Sequence, residues 1–214
     1  MSAQRTNRSS PPTIHLVCNA HIDPVWLWEW EEGAAAAIST FRTAADLCEE
    51  FPDFIFNHNE VILYRWVEEY EPELFKRIQS LVRKGKWHIM GGWFLQPDCN
   101  LPSGESFVRQ ILLGRQYFYE KFGVKPKTAI NFDPFGHSRG LVQIMARSGY
   151  DSYLFCRPDQ SWCQLEDDEF IWEGYDGSQI LANRPWGHYL SFLGMARNKV
   201  EIFINNNFHP EIFP

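Results

Sequence analysis

Thr128-Ala129-Ile130-Asn131-Phe132-Asp133-Pro134-Phe135-Gly136-His137-Ser138 is the stretch that decides the fold. Its first half is apolar and reads as a strand from Thr128 to Phe132. Pro134 cannot donate to a sheet ladder, and Gly136 permits a tight turn, so the strand stops at Asp133. Ser138 is placed to cap a helix from Leu141 to Ser148, whose apolar face is Leu141, Ile144 and Met145 and which Gly149 stops. Asp133 is thereby left at the C-terminal end of a buried strand. In a parallel α/β barrel that end carries the chemistry. Taken alone, an Asp before Pro reads as a loop cap, and the rest of the chain must shift that reading.

A second strand end does so. Ile14 to Cys18 reads as the first strand and leads into His21-Ile22-Asp23-Pro24-Val25-Trp26. In an extended chain residues i and i+2 share a face, so His21 and Asp23 can converge on one point. An imidazole beside a carboxylate suits zinc or another borderline divalent ion. The alternative is that the two merely hydrogen-bond each other at a strand end.

Between these ends, strands and helices alternate. Glu31 to Glu50 reads as a helix, with Ala34, Ala37, Ile38, Phe41, Ala45 and Cys48 at helical spacing. Phe54-Ile55-Phe56 reads as a strand ending at Asn57-His58-Asn59-Glu60. A helical region broken near Pro72 follows, and Gly85 closes it. Trp87 to Met90 is the next strand, ending at Gly91-Gly92. Ser103 caps a helix with Phe107, Ile111, Gly114 and Phe118 on one face. Beyond the central stretch, Ser152 to Cys156 is a strand. Phe170-Ile171-Trp172 and Gln179-Ile180-Leu181 form a pair turning at Asp176-Gly177. Four alternations argue for parallel strands with right-handed crossovers, although periodicity does not separate a closed barrel from an open sheet.

The bulk numbers exclude several classes. A chain of 214 residues suits one domain with a real core. A net charge of -7 without a basic cluster argues against nucleic acid and anionic membranes as partners. Five scattered cysteines with no Cys-x-x-Cys pair indicate neither a disulfide framework nor a zinc ribbon. Reduced thiols fit a cytoplasmic protein. Residues 1–12 are polar, lack the apolar core of a secretory signal and read as a disordered lead, with a single domain over 13–214. No stretch is long and apolar enough to span a bilayer. The aromatic content, 16% with nine Trp, suits sugar faces as well as core filling.

His21-Ile22-Asp23-Pro24-Val25-Trp26 followed by Asp133-Pro134-Phe135-Gly136-His137-Ser138 resembles the family 38 glycoside hydrolases, the class II α-mannosidases. Gly91-Gly92-Trp93, the run from Pro97 to Ser106, Arg157, and Glu169-Phe170-Ile171-Trp172 follow in the family's order, so the likeness spans about residues 14–186. The resemblance implies an α/β fold, the N-terminal part of an irregular seven-stranded β/α barrel of the glycoside hydrolase/deacetylase type. It implies zinc held by His21, Asp23 and Asp133, with Asp133 also the nucleophile of a retaining α-mannosidase acting on mannose-containing oligosaccharides or mannosides. Trp26 would lie under the sugar ring, and Arg157 would sit beside the nucleophile. The family's fourth ligand, a histidine, and its general acid/base come from later motifs, and neither His188 nor His209 matches their context. The chain alone is therefore expected to hold zinc partly or not at all, to be inactive, and to expose barrel surface that favours a homo-oligomer. Two other readings stand beside this one. A metal-dependent polysaccharide deacetylase would add a His-x-x-x-His pair, which is not present. A non-catalytic sugar-binding fragment would bind mannose without turnover. Of the remaining polar residues, His137 is expected to serve structure at the helix start. His58 and Asn59 face the site end. Trp93 and Asp98 are expected to shape the pocket, Glu166 to Glu169 to form a solvated acidic turn, and His88 to lie in the core.

Overall fold

The computed structural model describes residues 17–158, 161–185 and 189. The expected lead, most of the expected first strand, His188 and His209 lie outside them. Of that strand, Cys18 forms a parallel bridge to Phe56.

Helix α1 (Trp30–Glu50) starts from a capping box, in which the Glu29 amide donates to the Glu32 carboxylate at 2.8 Å. Its buried face is Ala34, Ala37, Phe41, Ala44, Ala45 and Cys48. Strand β1 (Phe56–His58) begins two residues later than the apolar pattern suggests. The turn at Pro52-Asp53 just ahead of that run ties the Phe54 amide back to the Phe51 carbonyl at 3.2 Å, and pairing with β2 (Trp87–Ile89) draws Asn57 and His58 into the strand instead. Helices α2 (Val61–Tyr70) and α3 (Pro72–Arg83) break at Glu71, with Pro72 at the first position of α3, where its missing N–H costs nothing. Helix α4 (Gly104–Phe122) is capped by the Ser103 hydroxyl, which accepts from the Ser106 amide at 3.3 Å. The central stretch forms β3 (Thr128–Asn131) and α5 (Arg139–Arg147), capped by Ser138. Strands β4 (Ser152–Phe155), β5 (Glu169–Glu173) and β6 (Gln179–Asn183) complete the described chain.

Two sheets result. β1 and β2 pair in parallel, and a four-stranded sheet runs β3-β4-β6-β5. β3, β4 and β6 are parallel; β5 folds back antiparallel on β6 as the hairpin at Asp176-Gly177. Between the sheets, the Gly91 amide donates to the Thr128 carbonyl at 3.1 Å. The fold is α/β with mostly parallel strands, as the alternation implied.

The core is in two main parts. One gathers Phe41, Tyr64, Trp87 and Phe118 between the first sheet and α1 to α4. The other gathers Trp93, Leu141, Met145, Tyr153 and Ile180 beneath the second sheet. Polar tips inside the first are satisfied: the Trp87 indole donates to the Tyr64 hydroxyl at 2.8 Å. Two expectations need correction. His88 is exposed, because strand alternation turns it outward between buried Trp87 and Ile89. The acidic run is not wholly solvated, because Asp168 accepts from buried Arg184 at 3.0 Å. Among the described residues no helix is long and apolar enough to cross a membrane.

Candidate functional site

The end of the bridged segment at Cys18, the end of β3 and the end of β4 deliver the site. His21 and Asp23 lie on the loop after Cys18, and the His21 Nε2 and Asp23 Oδ1 atoms are 3.0 Å apart. The Trp28 indole fixes this loop by donating to the Asp23 carbonyl at 3.1 Å. Asp133 comes from the end of β3. One ligand atom from each of His21, Asp23 and Asp133 lies within 4.8 Å of the other two. The set is one imidazole and two carboxylates, all partly exposed, which is the donor chemistry of a borderline divalent ion. Among the described residues the group has these three members. The geometry therefore fits a metal and brings together the three residues read from the sequence.

Arg157, at the end of β4, donates from its Nε to the Asp133 carboxylate. Its backbone is held from behind. The His137 Nε2 lies 2.6 Å from the Arg157 carbonyl, which can only accept, so Nε2 carries the proton. Nδ1 is then left to accept from the Tyr153 hydroxyl at 3.3 Å. Burial pushes the His137 imidazole below the ordinary histidine value, against the pull of the Arg157 carbonyl. His137 is thus a structural residue at the helix start, packed among Tyr153, Phe155 and Trp172. Asp98 also serves the loop, accepting from the Phe135 amide at 3.2 Å.

Trp26 lies on the same loop as His21 and Asp23. It is 65% exposed, and its ring meets Trp28 edge to face at 5.3 Å. His58 is fully buried, with one ring nitrogen 2.6 Å from the Asn59 carbonyl and the other 2.8 Å from the Ala20 carbonyl. It ties the start of the His21 loop to β1. Two carbonyls would be fully satisfied only by an imidazolium, yet burial dominates and lowers its pKa to about 4.

Three residues of the site escaped the sequence. The Tyr189 ring lies 5.1 Å from that of His21 and stacks on Phe132 at 6.2 Å, and its hydroxyl hydrogen-bonds Arg157. It sits where the periodic pattern has faded. Buried Glu60 pairs with half-buried Gln96, and burial raises the Glu60 carboxyl to about 7, opposed by its hydrogen bond from Gln96 and assisted by the charge of Asp23. The available signal was the polar run Asn57 to Glu60 placed between two buried elements.

A model of the glycosyl hydrolases family 38 N-terminal domain matches residues 11–202. Alpha-mannosidase G of Dictyostelium discoideum is 35% identical over 182 residues, 84% of this chain and 17% of that protein. Human alpha-mannosidase 2C1 is 34% identical over 200 residues, 92% of this chain and 19% of that protein. The crystal structure of an alpha-mannosidase from Enterococcus faecalis superposes with a TM-score of 0.73 at 26% identity, covering 81% of this chain and 20% of that one. The chain thus spans less than a fifth of the length of these curated relatives. The chain belongs to glycoside hydrolase family 38, by its match to that family's N-terminal domain.

Proposed function

We propose that this chain supplies the nucleophile and three metal ligands of a zinc-dependent retaining α-mannosidase. One observation supports the reading above others: His21, Asp23 and Asp133, from separate strand ends, converge within 4.8 Å while Arg157 pairs with Asp133. A loop-capping aspartate needs neither neighbour. His21, Asp23 and Asp133 would hold the zinc, which when bound supplies a Lewis acid that grips hydroxyl groups of the sugar ring. Asp133 attacks the anomeric carbon as the bond to the leaving sugar breaks, giving a covalent glycosyl ester that water later cleaves with net retention. Arg157 stands beside Asp133 as a counter-charge and orients its carboxylate. Trp26, exposed beside this loop, offers an aromatic face to the sugar ring.

The same reading makes the two described sheets one arc of the family's seven-stranded barrel. The Gly91–Thr128 hydrogen bond is the seam between them. β5 ends the described sheet, with Ile171 60% exposed on it, so the 214-residue chain self-associates through this surface. A light-scattering mass that stays monomeric over a wide concentration range refutes that part.

The mechanism is tested in the full-length enzyme. Asp133→Ala lowers turnover of an aryl α-mannoside by several orders of magnitude with the fold retained. A fluorinated mannosyl trap followed by peptide mass analysis places the sugar on Asp133. Near-normal turnover by the variant, or a label elsewhere, refutes it.

A further inference from the structure

Glu60 is the one non-glycine residue with positive φ among the described residues, at 70°. Its side chain is buried, at 2% exposure for the residue. A left-handed glutamate out of water persists only where its surroundings hold it there, and such residues cluster at functional sites. Its partners say what holds it. Glu60 Oε1 accepts from the Gln96 side-chain amide, and weakly from the Asn59 amide at 3.4 Å. Its other oxygen, Oε2, has no hydrogen-bond partner. Gln96 is used from both ends. Its Oε1 accepts from the Phe132 backbone N–H at 2.8 Å. Because that N–H must meet an oxygen, the Gln96 amide cannot turn over, and its NH2 is committed to Glu60.

The pair therefore spans from the end of β1 to the residue immediately before Asp133. β2 lies between them in the succession of strands, paired with β1 and followed by Gly91, whose amide donates to the Thr128 carbonyl at the start of β3. A Cβ on Gly91 would come 2.7 Å from the Asn59 Cβ, so a side chain there would displace the residue next to Glu60. The chain just before Glu60 also reaches the other half of the site, since the His58 ring lies 2.8 Å from the Ala20 carbonyl beside His21, and the charge of Asp23 acts on the Glu60 carboxyl.

We propose that Glu60 and Gln96 form a positioning bridge that fixes the Asp133 end of β3 relative to His21 and Asp23, holding the three ligands at metal spacing before a metal arrives. The bridge rests on the metal reading above for its purpose, but not for its geometry. Partners behind metal ligands commonly set affinity by ~10–100-fold.

The test exploits the polarity of the pair. Gln96→Leu removes both hydrogen bonds at nearly constant volume. The exchanged double variant Glu60→Gln with Gln96→Glu keeps both. In it the carboxylate carried at position 96 accepts from the Phe132 N–H and from the carboxamide carried at position 60. Zinc affinity of the chain is read by competition with a chromophoric chelator. Amide exchange at Phe132 is read by NMR on the metal-free chain. Circular dichroism confirms the fold of each variant. The expected result is a loss of roughly tenfold or more in zinc affinity and of Phe132 protection in Gln96→Leu, with both recovered in the exchanged pair. Rescue by exchange is what a merely space-filling role would not give. Wild-type zinc affinity in Gln96→Leu, or an exchanged pair no better than Gln96→Leu, overturns the bridge. If the wild-type chain itself binds no zinc, as a site short of the family's fourth ligand allows, the affinity arm reads nothing. Phe132 exchange then decides the bridge alone: protection lost in Gln96→Leu and regained by exchange supports it, and unchanged protection overturns it.

Discussion

Glu60 and His58 sit two residues apart, both buried, with protonation preferences displaced in opposite senses. Burial raises Glu60 to about 7 from 4.5 and lowers His58 to about 4 from 6.5. For Glu60 the folded chain binds the extra proton, so its contribution is full below about pH 4.5 and is lost as pH rises through about 7. For His58 the unfolded chain binds the extra proton, so its contribution is full above about pH 6.5 and is lost as pH falls through about 4. Each displacement is worth about 3 kcal/mol at 1.36 kcal/mol per unit. Between about pH 4.5 and 6.5 the two slopes cancel. Glu60→Gln removes one slope and exposes the other: denaturation of the metal-free variant gives stability climbing with pH across that window, where the wild type stays flatter by comparison. Equal slopes in both proteins would mean that Glu60 keeps its charge in the fold. This pair also marks the limit of the sequence at this scale. His21, Asp23, Asp133 and Arg157 were legible because each stands where an apolar run ends, three of them next to a proline. Glu60, Gln96 and Tyr189 were not. Their roles depend on which strand end lies over which, and that is a property of pairing rather than of local pattern.

At the scale of the element, α4 links the two halves of the core, burying Phe118 in the first and Phe107 and Ile111 in the second. The helix approaches the loop after β2 so closely that only glycine fits at position 114. A Cβ there would lie 2.1 Å from the Gly92 carbonyl oxygen, 2.6 Å from the Trp93 carbonyl carbon and 2.8 Å from the Phe94 nitrogen. All three are backbone atoms, so no side chain can rotate away. Alanine gains about 1 kcal/mol of helix propensity over glycine, yet overpacking costs about 1–3 kcal/mol and more where backbone must move. Gly114→Ala is therefore net destabilising in chemical denaturation, and it disturbs the loop that leads to Gln96. Gly104→Ala, on the same helix, meets only the Ile144 Cδ1 at 3.7 Å and is near neutral. A stabilised Gly114→Ala would mean the helix stands farther from that loop. The sequence placed Gly114 on the buried face of this helix, and caps, breaks and strand order were equally readable because they are local. The shift of β1 toward His58 and the outward face of His88 were not, since register is decided by the partner strand.

For the whole molecule, the ligands straddle the seam. His21 and Asp23 belong to the loop that continues from the first sheet through the Cys18–Phe56 bridge, and Asp133 belongs to the second sheet. Among the described residues, one backbone hydrogen bond, Gly91 to Thr128, joins the strands across the seam, supplemented by α4 and the Glu60–Gln96 bridge. An ion bound by all three side chains would cross-link the two halves, and a metal that binds the folded chain but not the unfolded one adds stability by mass action. At a free zinc concentration a hundredfold above the dissociation constant the gain is about 2.7 kcal/mol. For a domain of this size each kcal/mol raises the midpoint by about 2–4 °C, so zinc raises it by roughly 5–10 °C. The sign reverses for a site that is only a chance gathering of acidic groups: zinc then binds unfolded Cys and His side chains at least as well and lowers the midpoint. His21→Ala and Asp133→Ala, on opposite sides of the seam, should each abolish the upward shift, since either leaves ligands from one half alone or a single pair across it. A shift that survives Asp133→Ala would locate the metal on the first half and separate metal binding from the nucleophile. Thermal melts of the three proteins, with zinc and with a chelator, distinguish these outcomes.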